Sequence, residues 1–414
     1  MYRLLSILML VLAPCVHTLS AVDKEGALTA AIEDVRQNLA AKLGKTIPSI
    51  NVLINTPAGL YYTSAGQAEF KTTPKTNFRF ASNTKLFTAT AILKMQQDGW
   101  LNIDQHITEN IPGTETSFVP NTPEWDLAHK NQITIRQLLQ HAAGVYDVDN
   151  DKVPGCDGQS YTAWIMEKEP GHQFSATELV AQAARNKLSY FKPGDNHHYS
   201  NTGYAMLGEI IARVFSKHAG AQKTYKDYIK EQIIGDLPLY FPALAGDTRM
   251  NVPFVKALVY AENAPKPEII VEANLSAQVA EGNGWGTPLA LNTWLRDLMK
   301  GQGPLNKKSV AMMQNSISPG SKNYALGCLH MPNLGYGHNG CRVGYLSAMM
   351  YDPRQDVSVI AYLTFVDMTA KENFIVEMQE GLYQSAWRAR EALGYPGRPP
   401  TAKKKGSSAK SMGH

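Results

Sequence analysis

Phe78-Arg79-Phe80-Ala81-Ser82-Asn83-Thr84-Lys85-Leu86-Phe87-Thr88-Ala89 is the stretch on which the reading of this chain turns. Phe78 to Phe80 reads as a short extended segment. From Leu86, the apolar residues Ala89, Ile92, Leu93 and Met95 run around a helix that ends at Gly99, and a helix apolar on every side is a buried one. Ser82 and Lys85 stand where that helix opens, one turn apart, so they project from the same face and can touch. The free N–H groups and positive dipole end of the helix favour a developing negative charge beside Ser82. Serine is a poor nucleophile until a base takes its proton. Lysine serves as that base only when neutral, which requires its reference pKa of about 10.4 to fall by ~3 units, or roughly 4 kcal/mol. The spacing alone is weak evidence. Ser407-Ser408-Ala409-Lys410 repeats it in a polar tail, and a serine at a helix start is equally an N-cap. The Ser82 copy differs in its setting, between a strand and an apolar helix.

Working outward, Ala27 to Leu43 has helical spacing of its apolar residues. Ile50–Ile54 and Leu60–Thr63 read as a hairpin around Pro57-Ala58-Gly59. From about Trp100 to Ala280 the pattern is mostly helical, with Ile135–Leu139 and Tyr204–Phe215 as helices and residues 146–175 as an extended loop. After the Gly-rich run Gly282-Asn283-Gly284-Trp285-Gly286, a helix is expected over Pro288–Met299. Strands follow at Tyr324–Cys328, Leu346–Met350 and Val357–Leu363, then a helix over about Phe374–Leu393. No internal repeat is present. Strands early, helices in the middle and strands late predict an α/β (α+β) fold. It has one antiparallel sheet flanked by helices, plus an all-helical lobe. Residues 22–100 with 281–395 form the α/β lobe, 101–280 the helical lobe, and 396–414 a basic, disordered tail. Ser82 then lies at the seam, where pockets form.

Two further constellations carry chemistry. Tyr199-Ser200-Asn201 follows Pro193-Gly194 and precedes an apolar helix. A tyrosine near a lysine can share a proton as general acid or base, and an asparagine offers a donor and an acceptor to a substrate amide. A packed tyrosine and a helix cap are the plainer alternative. His338-Asn339-Gly340 lies between the Tyr324 and Leu346 strands. Gly340 lets a substrate backbone approach a strand edge, while His338 supplies a polar or cationic group. On a regular strand His338, Gly340 and Arg342 share one face, so His338 and Arg342 are candidates for holding a substrate carboxylate. Against this stands an Arg342 paired with a nearby acid or turned to solvent.

Taken in order, these motifs resemble the penicillin-recognising serine hydrolases: serine D-Ala-D-Ala carboxypeptidases, D-aminopeptidases, related esterases and class C β-lactamases. Leu138-Leu139-Gln140-His141-Ala142-Ala143-Gly144 is similar to their helix-ending LLxHxxG run. The likeness covers about residues 26 to 393 and implies a β-lactamase/transpeptidase-like fold. It implies an acyl-enzyme on Ser82, proton transfer by Lys85 and Tyr199, and an acyl amide held by Asn201. It also implies an oxyanion hole from the backbone N–H groups of Ser82 and Cys341, and no metal or organic cofactor. The third motif departs from Lys-Thr-Gly. Histidine at 338 is closer to the carboxypeptidase and aminopeptidase branches than to β-lactamases, and Cys341 is unusual at an oxyanion position. His197 and His198 read as packing. The first choice on this basis is a D-Ala-D-Ala carboxypeptidase-like peptidase. An esterase, a D-aminopeptidase, a class C-like β-lactamase and a non-catalytic penicillin-binding sensor are the alternatives. Expected partners are small peptides, amides or esters, including cell-wall peptides and β-lactams.

The chain ends carry different information. Arg3 and the apolar run Leu4–Ala13, roughly ten residues long, predict a signal peptide over residues 1–21 and a periplasmic or secreted protein. Leu12-Ala13-Pro14-Cys15 leaves a lipoprotein alternative. No later run approaches the ~20 apolar residues of a membrane helix. Net charge is +4, and much of the excess lies in the tail (Arg398, Lys403, Lys404, Lys405, Lys410), which leaves no nucleic-acid footprint on the rest. Beyond the signal segment Cys156, Cys328 and Cys341 remain. That count allows at most one disulfide; free thiols are the plainer reading of Cys328 and Cys341, and a bridge between them is the less favoured alternative. No CxxC or HExxH spacing points to zinc.

Overall fold

The computed structural model describes residues 21–260, 266–342, 344–369 and 373–399. Residues 1–20 of the expected signal peptide (1–21), Ser407 and most of the basic tail lie outside them. Of the tail, Pro396 and Arg398 are held against the last helix. The Pro396 carbonyl accepts from Arg390 Nε at 2.8 Å, and Arg398 pairs with Glu380 at 2.8 Å.

Helix α1 (Ala21–Leu43) leads into the hairpin β1 (Ser49–Thr56) and β2 (Gly59–Gly66), then the short β3 (Phe78–Arg79) and α2 (Thr84–Gln97). The middle of the chain holds α3 (Ile135–Leu139), α4 (Tyr161–Lys168), α5 (Ala176–Arg185), α6 (Asn201–Ala219) and α7 (Tyr225–Tyr228). Short strands β4 (Leu239–Tyr240), β5 (Ala257–Tyr260), β6 (Glu268–Ile270) and β7 (Trp285–Gly286) follow. After α8 (Pro288–Met299) and α9 (Lys307–Asn315) come β8 (Leu329–Met331), β9 (Gly335–Arg342), β10 (Tyr345–Asp352), β11 (Val357–Leu363) and β12 (Phe365–Asp367), and then α10 (Asn373–Ala392).

The main sheet has strand order β2-β1-β11-β10-β9-β8 and is antiparallel throughout. The early and late strands share one sheet, as expected: Ile50 on β1 stands opposite Leu363 on β11. Alternation of side chains explains its two cores. Leu346, Ala348 and Met350 of β10 face one cluster with Leu28, Ile32 and Leu39 of α1 and Met378, Leu382 and Ala386 of α10. Tyr345, Met349 and Tyr351 face the other, with Leu86 and Phe87 of α2 and Leu291, Trp294 and Leu295 of α8. Both faces are covered, so β10 and β11 are buried along their whole length.

Two local expectations need correction. Tyr324–Cys328 is not a strand. Gly327 takes a φ of +61° and its N–H reaches the Ala325 and Leu139 carbonyls, so the segment turns, and pairing with β9 begins only at Leu329. The Asp-, Gly- and Pro-rich residues 146–175 contain α4, started by Ser160, whose side chain accepts from the Ala163 N–H. Cys328 and Cys341 are not bonded. All three described cysteines are free, and Cys328 belongs to the α2 side of the sheet while Cys341 packs on the α1/α10 side.

Candidate active site

The segment that opens α2 is a 3-10 turn over Ala81–Asn83. Ala81 has a φ of +49°, in the left-handed region, where a non-glycine residue costs about 1–3 kcal/mol and persists only if its surroundings hold it. They do. Thr84 Oγ1 donates to the Ala81 carbonyl at 2.7 Å, and Asn83 Nδ2 donates to the Phe80 carbonyl at 2.9 Å. Ser347 of β10 also donates to Phe80 O at 3.0 Å and accepts from Asn83 at 2.8 Å, fixing the turn to the sheet. Ser82 is therefore not an N-cap; no side chain caps α2. Its hydroxyl is left for Lys85.

Lys85 is fully buried. Its Nζ lies 3.3 Å from Ser82 Oγ, 2.7 Å from Asn201 Oδ1, 2.9 Å from the Glu281 carbonyl and 3.1 Å from Glu281 Oε2. Burial pushes the lysine pKa below its ordinary value, opposed by the Glu281 carboxylate and, further off, by Asp147 and Asp149. Burial moves Glu281 the other way, up to about 7, against the pull of Lys85. Both partners are thus shifted toward their neutral forms, the condition a lysine base requires.

Tyr199 reaches the same point from the loop before α6. Its ring lies 4.6 Å from Lys85 Nζ and 4.2 Å from the His141 ring. Burial raises its pKa well above 10, and a hydrogen bond with Ser82 offsets only part of that. Ser200 caps α6, accepting from the Gly203 N–H. Asn201 is more committed than expected. Its Oδ1 takes Lys85, its Nδ2 donates to Asp149 Oδ2 at 2.8 Å, and its backbone N–H donates to Asp147 at 3.0 Å. It holds the base and the acidic loop together, leaving one lone pair and one amide hydrogen for anything else.

Strand β9 forms the opposite wall. Pairing with β8 stops at Gly337. Gly340 runs so close to the nucleophile turn that an added Cβ would sit 2.4 Å from Phe80 O and 2.8 Å from Ser82 N, so only glycine fits there. Ser82, Tyr199, Asn201, Glu281, Gly340 and Arg342 line one cleft of about 290 Å³, with Cys341 at its edge. A larger cavity of about 540 Å³, bordered by Leu179, Glu209 and Tyr225, contains none of the motif residues.

His338 and Arg342 do not converge on a common point. Arg342 donates to both oxygens of Asp149, at 2.7 and 3.2 Å. Burial alone would raise the Asp149 pKa; Arg342, Thr162 and Asn201 outweigh it and hold that carboxyl at about 2. The arginine is already half of an ion pair with an acid from the loop before α4. His338 is buried and spent behind the cleft. The Ser200 N–H donates to His141 Nδ1 (3.1 Å), so His141 carries its proton on Nε2 and gives it to the Tyr324 hydroxyl (3.1 Å). Tyr324 then donates to His338 Nε2 (3.0 Å), and His338 Nδ1 donates to the Asn339 carbonyl (2.5 Å). The Ser200 N–H sets the direction of this chain, and burial keeps both imidazoles neutral. Burial, aided by the Lys85 charge, drives the His338 pKa down to about 3.

Sequence reasoning missed Glu281, Asp147, Asp149 and Tyr324. Glu281 stands just before the Gly-rich run at 282–286 and the two aspartates just after Gly144, a composition that marks tight turns without naming a contact. His197 and His198 pack as expected: His198 stacks on Tyr190 at 3.5 Å and His197 bonds the Gln140 carbonyl at 3.0 Å. Among the described residues no cluster of His, Cys, Asp and Glu is arranged for a metal ion, and no helix is long and apolar enough to cross a membrane.

A nucleophile turn, a buried lysine, a tyrosine loop and a glycine-edged strand around one cleft define a serine hydrolase of the β-lactamase fold. A beta-lactamase family profile matches residues 35–375, and the chain belongs to that family. Among curated proteins it is similar to Penicillin-binding protein 4* of Bacillus subtilis (strain 168), 28% identical over 197 residues, 46% of this chain and 35% of that one. It also resembles Protein flp of Staphylococcus aureus (strain MRSA252), 24% identical over 308 residues, 70% of this chain and 53% of that one. The chain thus spans about a third to a half of the length of these relatives. Among solved structures, a D-stereospecific amidohydrolase from Streptomyces sp. superposes with a TM-score of 0.64 at 24% identity, covering 84% of this chain and 97% of that one. D-amino acid amidase from Ochrobactrum anthropi SV3, complexed with D-phenylalanine, gives 0.67 at 21%, covering 88% and 99%. These likenesses show the fold.

Proposed function

We propose that this protein is an exported serine amidase or aminopeptidase that cleaves small amides through an acyl-enzyme on Ser82. The observation that carries the reading is the fully buried Lys85 amine 3.3 Å from the Ser82 hydroxyl. An ammonium has three hydrogens, whereas a neutral amine has two and a lone pair. With its two hydrogens held by the acceptors of Asn201 and Glu281, the lone pair is free to accept the serine proton. Ser82 Oγ then attacks the substrate carbonyl carbon. The backbone N–H groups of Ser82 and Cys341 stabilise the oxyanion, a contribution of about 2.7–4 kcal/mol per donor. Tyr199, which keeps its proton, passes it to the leaving amine and later takes one from the attacking water.

The choice among substrates turns on Arg342. A D-Ala-D-Ala carboxypeptidase needs a cation for the free carboxylate of its substrate. The arginine suited to that task is neutralised by Asp149, and His338 is held neutral with both nitrogens occupied. Support therefore moves from the carboxypeptidase to the amidase and aminopeptidase side, the side on which the D-amino acid amidase of similar fold works.

The test is covalent labelling with a fluorophosphonate, and turnover of D-amino acid amides beside D-Ala-D-Ala peptides. Wild type should label and release amine from the amides. Ser82→Ala should do neither, and label persisting on that variant would sink the assignment. A penicillin-binding sensor would instead stay acylated without turnover. Export is tested by N-terminal sequencing of protein recovered outside the cytoplasm, with cleavage after Ser20 or Ala21 expected.

A further inference from the structure

Glu281 is the cleft residue that the proton chemistry leaves half used. Its Oε2 holds Lys85, but its Oε1 is buried and has no hydrogen-bond partner in the protein. A buried carboxylate oxygen without a partner is costly and rare, and Glu281 lines the same cleft as Ser82. The charges around it point one way. The carboxylates of Asp147, Asp149 and Glu281 meet the cations of Lys85 and Arg342. His141 and His338 are held neutral and Tyr199 keeps its proton, so none of them adds a positive charge. When Lys85 is the neutral amine that its role as base requires, and Arg342 is matched by Asp149, the Glu281 carboxylate has no cation of its own and an incoming ammonium supplies one.

Geometry limits where that cation sits on a substrate. Lys85 Nζ touches both Ser82 Oγ, at 3.3 Å, and Glu281 Oε2, at 3.1 Å. The glutamate carboxylate therefore lies within two such contacts of the nucleophile. A carbonyl carbon poised for attack stands about 3–3.5 Å from Ser82 Oγ. A group on the neighbouring α-carbon then lies at a distance from Ser82 Oγ comparable to that of the Glu281 carboxylate, so the α-position is the part of the acyl chain that matches it.

We propose that Glu281 receives the α-ammonium group of the substrate through Oε1, so that the preferred substrates are amides of amino acids with a free amino group. The proposal rests on Ser82 being the nucleophile. It also sets a pH dependence. Lys85, Arg342, Asp149 and Tyr199 face Glu281, and burial leaves its carboxyl titrating at about 7. Below that pH the carboxyl takes up a proton and loses its hold on a cation, while an α-amino group, with a pKa of about 7.7–8.0, stays charged.

The experiment compares D-alanine p-nitroanilide with its desamino counterpart, p-nitropropionanilide, on wild type, Glu281→Gln and Ser82→Ala. Any effect of the glutamine on Lys85 falls on both substrates and cancels in their ratio. Glu281→Gln should lower kcat/KM for the amine-bearing anilide by about 10- to 100-fold more than for the desamino one, the scale of one hydrogen bond to a charged group. In wild type, KM for the amine-bearing anilide should rise as the pH falls from 7.5 to 6 while the other stays flat. That second measurement needs no variant to fold. Equal kcat/KM values with parallel pH profiles would overturn the role of Glu281 and leave the hydrolase intact. Absence of Ser82-dependent turnover of both anilides would overturn the hydrolase reading and this proposal with it.

Discussion

Lys85 and Arg342 are the two cations at the cleft, and they are held in opposite ways. Lys85 shares Glu281 with its own burial, and burial prevails; its charge is loosely owned and can be given up. Arg342 faces Asp149 through two hydrogen bonds, and its pKa is raised, so its charge is permanent and already matched. A guanidinium stays protonated and binds carboxylates bidentately, whereas an ammonium on a flexible stem shifts its pKa readily when buried. A lysine on the Ser82 side and an arginine on the strand side are thus suited to different work: one can release its proton, the other pins the acidic loop to β9.

The largest effect should come from breaking the fixed pair. Arg342→Met leaves Asp149 buried and unpaired, and removing one partner of a buried pair typically costs 3–5 kcal/mol. Denaturant unfolding should show that loss, and Asp149→Asn in the same background should restore much of it. A loss under 1 kcal/mol would mean that Arg342 is free to serve a substrate after all. Next comes the mobile side. Tyr199→Phe keeps the ring against His141 but removes the hydroxyl, and kcat should fall by ~10²-fold or more, the scale for a general acid–base group. Near-native kcat would show that Lys85 needs no phenol.

The smallest effect concerns His338, which belongs to the fixed side. Its pKa is about 3 in the fold against an ordinary 6.5, so the native state binds its proton later than the unfolded chain does. Stability from this residue is full above pH 6.5 and declines as the pH falls toward 3. At pH 5 the loss should be ~2 kcal/mol at about 1.4 kcal/mol per pH unit. His338→Asn should flatten the unfolding free energy between pH 7 and pH 5 relative to wild type. An unchanged slope would show that the imidazole is not the titrating group.

What the sequence made legible was local. Ser82 and Lys85 are one turn apart, Tyr199 and Asn201 flank a helix cap, and Gly340 lies on a strand; each carries its geometry within a few residues. The hairpin and α8 were readable for the same reason. Long-range pairings were not. Asp149 meets Arg342 193 residues away, and Glu281 meets Lys85 across 196. No periodicity records such a meeting, so the sequence offered an open Arg342 and an Arg342 paired with an acid side by side, without naming Asp149 as that acid. Tyr324–Cys328 misled differently. Its apolar run looks like a strand, but Gly327 turns the backbone and Tyr324 is kept for the link between His141 and His338.

The position of β1 in the sheet has a consequence for how the protein comes into being. β1 lies between β2 and β11, and β9, which runs against the nucleophile turn, is joined to those strands through β10. A nascent chain that has already presented Ser82, Lys85 and Tyr199 still lacks Gly340, the strand that carries it and the neighbour that anchors that strand. Such a fragment has its reactive groups but no chamber to align them. Pairings of this sequence separation form late and slowly, so the cleft is completed only once β9 and β10 have paired, and a chain truncated before β9 should be inert.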